Sequence, residues 1–217
     1  MRITLLNQFY LPDLSPTAHM AGSLAEDRAG RGDDVTVVAS RSQYVPESSG
    51  SQKRRDEKLK IHSLPSTSLG KGNLVFRLID YLSFYVLAAL RLTFMPRQDV
   101  IISMTTPPLI ILATLGHKLL HPRTRLVLWI QDCYPEMAER TEVIQEGGLL
   151  RRFLRWLNHF VFRRLAQIVV LDSAMERLIR DNYERPGEKL PIRTIPNWER
   201  AELFPANAVH EAWSPLA

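Results

Sequence analysis

The chain has 217 residues, 45% of them hydrophobic and 24% charged, which is enough for one compact domain with its own core. Its single cysteine, Cys133, excludes an intramolecular disulfide and a zinc site of paired cysteines, so we expect a cytoplasmic protein and no secreted disulfide scaffold. Lysine and arginine outnumber aspartate and glutamate by 28 to 23, and this net charge of +5 favours anionic partners without choosing among nucleotides, phospholipids and nucleic acid.

Apolar runs of strand length alternate with helical segments along the chain. In chain order we predict a strand at 2–7, a helix from about 17 to 31, strands at 34–40 and 60–65, a long helix from about 73, a strand at 100–104, a helix from Pro107, a strand at 125–130, a helix from 149, a strand at 167–171, a helix from 174 and a strand at 192–196. This alternation predicts an α/β fold with a Rossmann-like, doubly wound, mainly parallel sheet. Residues 46–60, rich in serine and charge, are predicted to form an exposed loop.

Three segments have some character of a targeting or membrane sequence. The N-terminus, 1–13, lacks a long apolar core followed by a cleavage site, so we interpret it as a buried strand. Segment 74–95 contains charged side chains, and segment 100–116 is interrupted by Pro107 and Pro108. A membrane span needs about 20 apolar residues, so both segments are predicted to be parts of the α/β domain.

The stretch 129–136 reads WIQDCYPE, an apolar strand that leads directly into two carboxylates, Asp132 and Glu136. Ligands of an open parallel sheet bind beyond the carboxyl ends of its strands. We therefore interpret this stretch as the centre of a sugar-handling site. Two alternatives stay open: Asp132 caps a local turn or pairs with an arginine, and Glu136, which follows Pro135, begins a helix.

The other side chains of this stretch have less specific chemistry. Gln131 and Tyr134 could bond sugar hydroxyls or only shape the pocket by packing. Cys133 lies between an acid and an aromatic ring, and no neighbouring histidine would help it to form a thiolate. We expect Cys133 to be packed as an apolar residue and to have no catalytic role.

The first strand-to-helix turn, NQFYLPDLSPTAHMAG, is where a Rossmann-like fold holds a phosphate, but it has no GxGxxG. A dinucleotide cofactor is therefore not expected. Ser15 and Thr17 lie at the predicted start of the helix, where they could accept an anion or only cap the helix. His19, in the first helical turn, is a further candidate, although a lone histidine is more often structural.

Four segments occur in an order that resembles a known family: NQFYLPDLSPT, LAEDRAGRGDDVTVVASR, WIQDCYPE and IPNWERAELFP. Together they resemble the N-terminal domain of a family 4 glycosyltransferase, of the group that builds exopolysaccharide and O-antigen units on a lipid carrier. The resemblance covers nearly the whole chain, and QDCYPE and IPNW are its most specific parts. The chain departs from the family pattern at Asp33, where histidine is usual, and in the first loop, which lacks paired glycines.

The resemblance implies the N-terminal half of a GT-B architecture, in which two Rossmann-like domains face each other across a cleft. We expect residues 1–204 to be the acceptor-side domain and 205–217 to be a tail or the start of an interdomain linker, with the C-terminal donor-binding domain absent. The chain is then half of a split enzyme, a fragment, or a noncatalytic sugar- or lipid-phosphate-binding domain. Alone, it is not expected to transfer sugar efficiently.

The resemblance also implies a nucleotide-sugar donor, a lipid-linked acceptor, retention at the anomeric carbon, and no metal or other cofactor. Asp132 is then the candidate catalytic residue, which orients the acceptor hydroxyl or stabilises positive charge that develops on the sugar. The expected acceptor contacts are Gln131, Tyr134 and Glu136. The expected contacts to the donor phosphate or sugar are Ser15, Pro16, Thr17 and His19.

The helix that begins at 149 reads LLRRFLRWLNHFVFRRLA, with apolar residues on one side and arginines on the other. We expect it to contact an anionic membrane surface, which would make the protein peripheral on the inner face of the bacterial plasma membrane. The expected lipid-phosphate contacts are Arg151, Arg152, Arg155, Trp156 and Arg163. The alternative is that its apolar side packs on the sheet and its arginines are only solvated, since one face cannot both pack on the sheet and enter lipid.

Two further hypotheses concern lipid and nucleic acid. Tyr81, Phe84 and Tyr85, on the long helix from about 73, could contact a polyprenyl chain or pack in the core. Nucleic acid is not expected as a partner, because the sequence has no RNP-like strand and no zinc-finger spacing.

Overall fold

The computed structural model describes residues 1–41, 57–69, 74–137 and 148–198. Its strands are β1 (Arg2–Leu6), β2 (Asp34–Ser40), β3 (Leu59–Leu64), β4 (Val100–Ser103), β5 (Arg125–Trp129), β6 (Gln167–Val170) and β7 (Ile192–Thr194). Its helices are α1 (Pro16–Gly30), α2 (Leu74–Thr93), α3 (Leu115–Leu120), α4 (Leu149–Phe162) and α5 (Ser173–Tyr183), with a 3₁₀ helix at Ile110–Thr114. The predicted alternation is confirmed, with most element ends within one or two residues. Most of the predicted loop 46–60, and all of 205–217, lie outside the described residues.

One predicted helix start is wrong. The helix expected from Pro107 begins at Ile110, as a 3₁₀ helix that leads directly into α3. The reason is Leu109, whose φ of 62° lies in the left-handed region, through which a right-handed helix cannot continue. The two prolines therefore lie in a turn that precedes the helix.

The seven strands form one parallel sheet in the order β3-β2-β1-β4-β5-β6-β7. β1 is the third strand of this order, next to the central strand β4, and the chain moves from β1 first to one edge of the sheet and then back to the other. Such a reversal between β1 and β4 leaves a crevice at the carboxyl ends of the strands, where ligands of open α/β sheets bind. The Rossmann-like, doubly wound fold predicted from the sequence is therefore confirmed.

The helices lie on both faces of the sheet. Right-handed crossovers that run in opposite directions along the sheet, before and after the reversal between β1 and β4, place their helices on opposite faces. α1 packs through Met20, Ala21 and Ala25 in one core cluster, which includes Val35 and Val37 of β2. The second cluster contains side chains of α2, α4 and α5. α2, α4 and α5 consequently form a layer on the face opposite α1.

α2 has one buried and one exposed face. Phe84, Ala88 and Leu92 are completely buried in the core, so Phe84 packs in the core and does not offer a surface for a lipid chain. Tyr81 and Tyr85 are half-buried. Within the part of the chain that the structure describes, no helix is long and apolar enough to cross a membrane.

Candidate functional site

Three loops meet at the carboxyl edge of the central strands, after β1, β4 and β5. The backbone N–H of Gln8 donates to the carbonyl of Thr106 at 2.9 Å, which joins the first loop to the second. The hydroxyl oxygen of Thr105 accepts from the backbone N–H of Gln131 at 3.1 Å and of Asp132 at 3.3 Å, which joins the second loop to the third. Thr105 was not identified from the sequence, although a polar residue directly after a buried strand was a usable signal. These bonds fix the position of Asp132 relative to the strands.

Asp132 lies half-buried in a cavity of about 30 Å³, which has room for one water molecule. Cys133, Asn158 and Tyr183 also line this cavity. No described residue donates a hydrogen bond to the Asp132 carboxylate or forms an ion pair with it. Neither alternative for Asp132, a local cap or an arginine pair, is seen within these residues. The arrangement suits a carboxylate that acts on a group brought by a ligand.

Burial raises the pKa of Asp132, so the folded protein binds this proton more tightly than the unfolded chain does. The resulting stability is fully present below the unfolded pKa and is lost as pH rises through the raised folded pKa. We therefore expect Asp132→Asn to raise the melting temperature at neutral pH, where the native carboxylate is charged and poorly solvated. Thermal denaturation at neutral pH measures this, with the exposed Asp27→Asn as control. A lower melting temperature for Asp132→Asn would contradict the expectation.

Glu136 belongs to a buried hydrogen-bond network on the wall of this cavity. The Tyr183 hydroxyl donates to Glu136 Oε1 at 2.6 Å, and Asn158 Nδ2 donates to the Tyr134 carbonyl at 2.6 Å and to the Tyr183 hydroxyl at 3.1 Å. Burial and the neighbouring carboxylate raise the pKa of Tyr183, which keeps its phenol protonated as a donor. The network therefore holds Tyr134 and Glu136 against α4 and α5.

The segment after β7 packs against the loop that contains Asp132. Asn197 Nδ2 donates to Gln131 Oε1 at 3.0 Å, and Gln131 Nε2 donates back to Asn197 Oδ1 at 3.3 Å. Trp198 stacks on Trp129, with ring centroids 5.2 Å apart, and its Nε1 donates to Ser23 Oγ on α1 at 3.1 Å. The two most specific sequence segments, QDCYPE and IPNW, are thus in direct contact. This contact was not predicted.

The start of α1 contains the residues predicted to meet the donor phosphate. Ser15 occupies the N-cap position, but its hydroxyl does not cap the helix, and Ser15 Oγ is buried without a hydrogen-bond partner among the described residues. Ser15 is only 6% exposed, and its backbone N–H donates to Asp13 Oδ1 at 2.7 Å. Pro16 is exposed, and Thr17 and His19 are half-buried. Capping by Ser15, one of the two alternatives, is therefore not what the structure shows.

Metal ligands are not grouped in this region. Across residues 1–41, 57–69, 74–137 and 148–198, no three side chains of histidine, cysteine, aspartate or glutamate lie close enough to hold a metal ion. Cys133 is half-buried and belongs to the cavity lining.

A second, open depression of about 480 Å³ lies along α4, and we call it the arginine groove. Its lining residues in the described chain are Arg151, Arg152, Arg155, Trp156, His159, Phe160, Arg163, Arg164 and Arg185. All five residues predicted to contact lipid phosphate belong to this set. Arg185 was missed because it follows α5 in sequence and reaches α4 only in the folded chain.

Some of these arginines are also held by neighbours. Arg163 Nε donates to Glu188 Oε1 at 3.0 Å, and Arg155 Nη2 donates to Asn182 Oδ1 at 2.5 Å. The guanidinium of Arg164 lies 3.6 Å above the Phe160 ring. Burial and the charges of the surrounding arginines lower the pKa of His159, as expected in a strongly positive environment. The groove is therefore a preorganised cationic surface.

The apolar side of α4 is divided along its length. Val161 and Phe162, in the last turn, are buried in the core. Leu149, Phe153 and Trp156, in the first half, are exposed, and Phe153 and Trp156 stack with ring centroids 6.1 Å apart. The two alternatives considered for this face thus apply to different parts of it: the end of α4 packs on the sheet, and its beginning does not.

The chain is similar to known proteins in sequence and in fold. The family model described as glycosyl transferase 4-like domain matches residues 17–198. Among curated proteins, a sequence search finds no match. The fold is similar to that of sucrose-phosphate synthase from Thermosynechococcus elongatus, with a TM-score of 0.61 at 10% identity, over 93% of this chain and 49% of that one. The chain therefore spans about half the length of that enzyme.

Two other solved structures are less similar to this chain in fold. One is a ugt transferase from Siraitia grosvenorii in complex with UDP, with a TM-score of 0.42 and 15% identity over 83% of this chain and 47% of that one. The other is WaaG, a glycosyltransferase involved in lipopolysaccharide biosynthesis, with a TM-score of 0.32 and 12% identity over 93% and 71%. With TM-scores below 0.5, these two structures support no argument about this chain. The similarity to sucrose-phosphate synthase, at 10% identity, supports the fold alone.

Proposed function

Because the chain belongs to the glycosyl transferase 4-like domain family, we propose that it is the acceptor-binding domain of a retaining glycosyltransferase. The enzyme would transfer a sugar from a nucleotide sugar to a lipid-linked acceptor in cell-surface polysaccharide synthesis. A second Rossmann-like domain would complete the GT-B cleft and bind the donor. The observation that carries this proposal is Asp132, a half-buried carboxylate with no described partner at the carboxyl edge of the central strands.

Asp132 would act on the acceptor hydroxyl and on the developing sugar cation. In the proposed reaction, the bond between the anomeric carbon and the diphosphate breaks, and the acceptor oxygen bonds to the same face of the sugar. The acceptor proton passes to the leaving diphosphate. A carboxylate stabilises the positive charge of such a transition state most strongly where little water screens it, as in the cavity around Asp132.

The acceptor would be held by the residues around Asp132. The pKa of Tyr134 is raised by burial and by the Asp132 carboxylate, so its hydroxyl remains a hydrogen-bond donor for a sugar. Glu136 would accept through Oε2, because Tyr183 already donates to Oε1, and Gln131 would donate through the second N–H of Nε2, because Asn197 engages Oε1 and the first N–H. Their bonds also keep the acceptor wall rigid.

The donor diphosphate would lie at the start of α1. The buried hydroxyl of Ser15 has no partner in the described chain and could donate to a phosphate oxygen, and helix N-termini attract anions. Pro16, Thr17 and His19 would lie beside the same phosphate or the donor sugar. No nicotinamide or flavin cofactor is part of this proposal.

Ser15→Ala tests the donor contact. We expect it to leave the melting temperature of the free protein unchanged or slightly higher, because it removes a buried hydroxyl that has no partner. Nucleotide-sugar binding by the complete enzyme should weaken on the order of tenfold, the loss typical of one hydrogen bond to a charged group. Isothermal titration calorimetry measures this, and unchanged affinity would contradict the role of Ser15.

The arginine groove would place the enzyme on the inner face of the plasma membrane. Its cationic side chains would attract anionic headgroups, with Arg151, Arg152 and Arg155 in the first half of α4, together with Trp156. Arg163 would extend the same attraction to the other end of α4. A peripheral position fits an acceptor whose lipid remains in the bilayer.

The proposed function is tested by transfer from a panel of nucleotide sugars to lipid-linked sugars, with this chain supplied together with a donor-binding domain. We expect transfer only when both domains are present, and retention at the anomeric carbon by NMR of the product. Full transfer by the chain alone would contradict its assignment as the acceptor side. Binding of lipid-linked sugar without transfer would support the alternative, a noncatalytic sugar- or lipid-phosphate-binding domain.

A further inference from the structure

α2 exposes an apolar surface along its whole length, on the side opposite its buried face. We call this surface the α2 stripe, and its members are Val75, Leu78, Leu82, Val86 and Leu90, which are each 50–64% exposed. Their spacing of three and four residues places them on one side of the helix. A helix that is apolar on both sides is normally covered on both sides. Among the described residues, α2 packs through its buried face, and the stripe side stays exposed.

The apolar surface continues beyond the end of α2. Phe94 is 79% exposed, and Leu119 and Leu120 of α3 are 81% and 59% exposed. Gly116 of α3 lies close against Thr93, where an added Cβ would meet Thr93 Oγ1 at 2.2 Å, so the two helices adjoin here. The stripe itself runs along about 24 Å of helix, and contiguous exposed apolar surface of this kind is typical of an interaction site.

The charges on α2 favour an anionic partner. Arg77 and Arg91 are exposed, whereas the carboxylate of Asp80 accepts two hydrogen bonds from the backbone N–H of Leu69, at 3.0 and 3.1 Å. Arg91 also has a partner, the ring of His62, and Arg77 Nη2 lies 3.4 Å from the Tyr81 hydroxyl, so by helical spacing both arginines lie on the flanks of the buried face and away from the stripe. α2 keeps a net positive charge, and the arginine groove supplies most of the cationic side chains of this layer.

The α2 stripe and the arginine groove belong to the same layer of the molecule. α2 and α4 pack into one core cluster, on the face of the sheet opposite α1. The site lies between them, because Asn158 of α4 donates to the Tyr134 carbonyl while Arg77 and Tyr81 of α2 influence the pKa of Tyr134. One surface therefore carries apolar side chains, cationic side chains and the rim of the candidate site.

We propose that the α2 stripe is a bilayer-docking surface. Its side chains enter the boundary between headgroups and acyl chains of an anionic membrane, while the arginine groove binds the headgroup phosphates. A second copy of the chain is a poorer occupant, because pairing through this layer would bring the arginines of both copies together, and like charges across an interface oppose association. Docking in this orientation would bring the lipid of the proposed acceptor to the rim of the Asp132 cavity, and in this respect the inference rests on the proposed function.

Vesicle flotation tests the docking surface without donor or acceptor. The wild-type chain should bind vesicles of phosphatidylcholine mixed with phosphatidylglycerol, and bind pure phosphatidylcholine less. Leu82→Glu should weaken this binding on the order of tenfold or more, since it replaces one leucine that would be buried in lipid. Ile195→Glu is the matched control, because Ile195 is an exposed apolar residue that follows β7 at the opposite edge of the sheet from β3.

A second variant separates the apolar from the cationic contribution. Arg152→Ser combined with Arg185→Ser should remove most of the preference for phosphatidylglycerol, while residual binding to both vesicle types remains sensitive to Leu82→Glu. Circular dichroism checks that each variant is folded, which is expected because Leu82 and Arg152 are exposed.

Three outcomes would overturn the docking proposal. They are failure of the wild type to float with anionic vesicles, equal binding by Leu82→Glu and the wild type, and a wild-type dimer in light scattering that Leu82→Glu converts to a monomer. Transfer to a water-soluble acceptor is measured separately. Loss of vesicle binding with intact transfer therefore overturns only the docking surface, and vesicle binding without any transfer overturns only the proposed reaction.

Discussion

Asp132→Asn is expected to lower the rate of sugar transfer by the complete enzyme on the order of a hundredfold or more, with a small change in KM. The substitution keeps the shape of the side chain and removes the charge that would stabilise the transition state in a poorly solvated cavity. Initial rates over a range of acceptor concentrations separate kcat from KM.

The control for this prediction is Asp27→Asn, which neutralises an exposed carboxylate paired with Arg31 on α1. It should leave the transfer rate unchanged. Because Asp132→Asn is also expected to raise the melting temperature, a loss of activity cannot then be attributed to unfolding. Full kcat in Asp132→Asn would remove the catalytic role assigned to Asp132.

Phe84→Ala is expected to destabilise the folded chain by about 3–5 kcal/mol, the usual cost of removing a large aromatic side chain from a core. Phe84 is completely buried, and the cavity left behind would lie between α2 and the sheet. Urea denaturation measures the free energy of unfolding, and the slope of the transition shows whether the two-state approximation holds.

Leu82→Ala is the matched control, two residues away on the same helix. Leu82 is 64% exposed, so its truncation should change the free energy of unfolding by less than about 1 kcal/mol. Similar losses for both variants would mean that α2 buries a different face from the one described. The pair therefore tests the orientation of α2, on which the docking surface depends.

Asp132 and the α2 stripe lie on neighbouring parts of the same surface, and each places a side chain in an environment that is unfavourable for it in the free domain. Asp132 is kept as a partly dehydrated carboxylate, although burial opposes its charge. The α2 stripe keeps leucine and valine in contact with water, although a core would bury them. Both features cost stability in the free domain, and both are explained if the domain meets a sugar and a membrane.

Local patterns in the sequence were sufficient for the fold class and for most element positions. The apolar runs of β1, β2 and β5 are flanked by turn residues and separated by helical segments, and such alternation permits few architectures. The helix start at Ile110 was misplaced because the backbone conformation of Leu109, which decides it, leaves no pattern in the composition.

The candidate site was predictable only in part, because a strand end indicates where chemistry is presented and not which partners meet there. Asp132 was identified from its position after β5. Its support by Thr105, and the pairing of Gln131 with Asn197, join residues that are 26 to 66 positions apart in the chain. Contacts at such separations depend on how the strands are ordered, which no local pattern contains.

The sequence was sufficient to establish a Rossmann-like domain of the family 4 type, with a carboxylate at the end of a central strand, because strand and helix periodicity and short motifs are local properties of a chain. Packing decided the rest. It placed Ser15 without a described partner, bonded Glu136 to Tyr183, and brought Arg185 to α4. It also selected which face of α2 is buried, since both faces are apolar and only the sheet beneath them determines the choice.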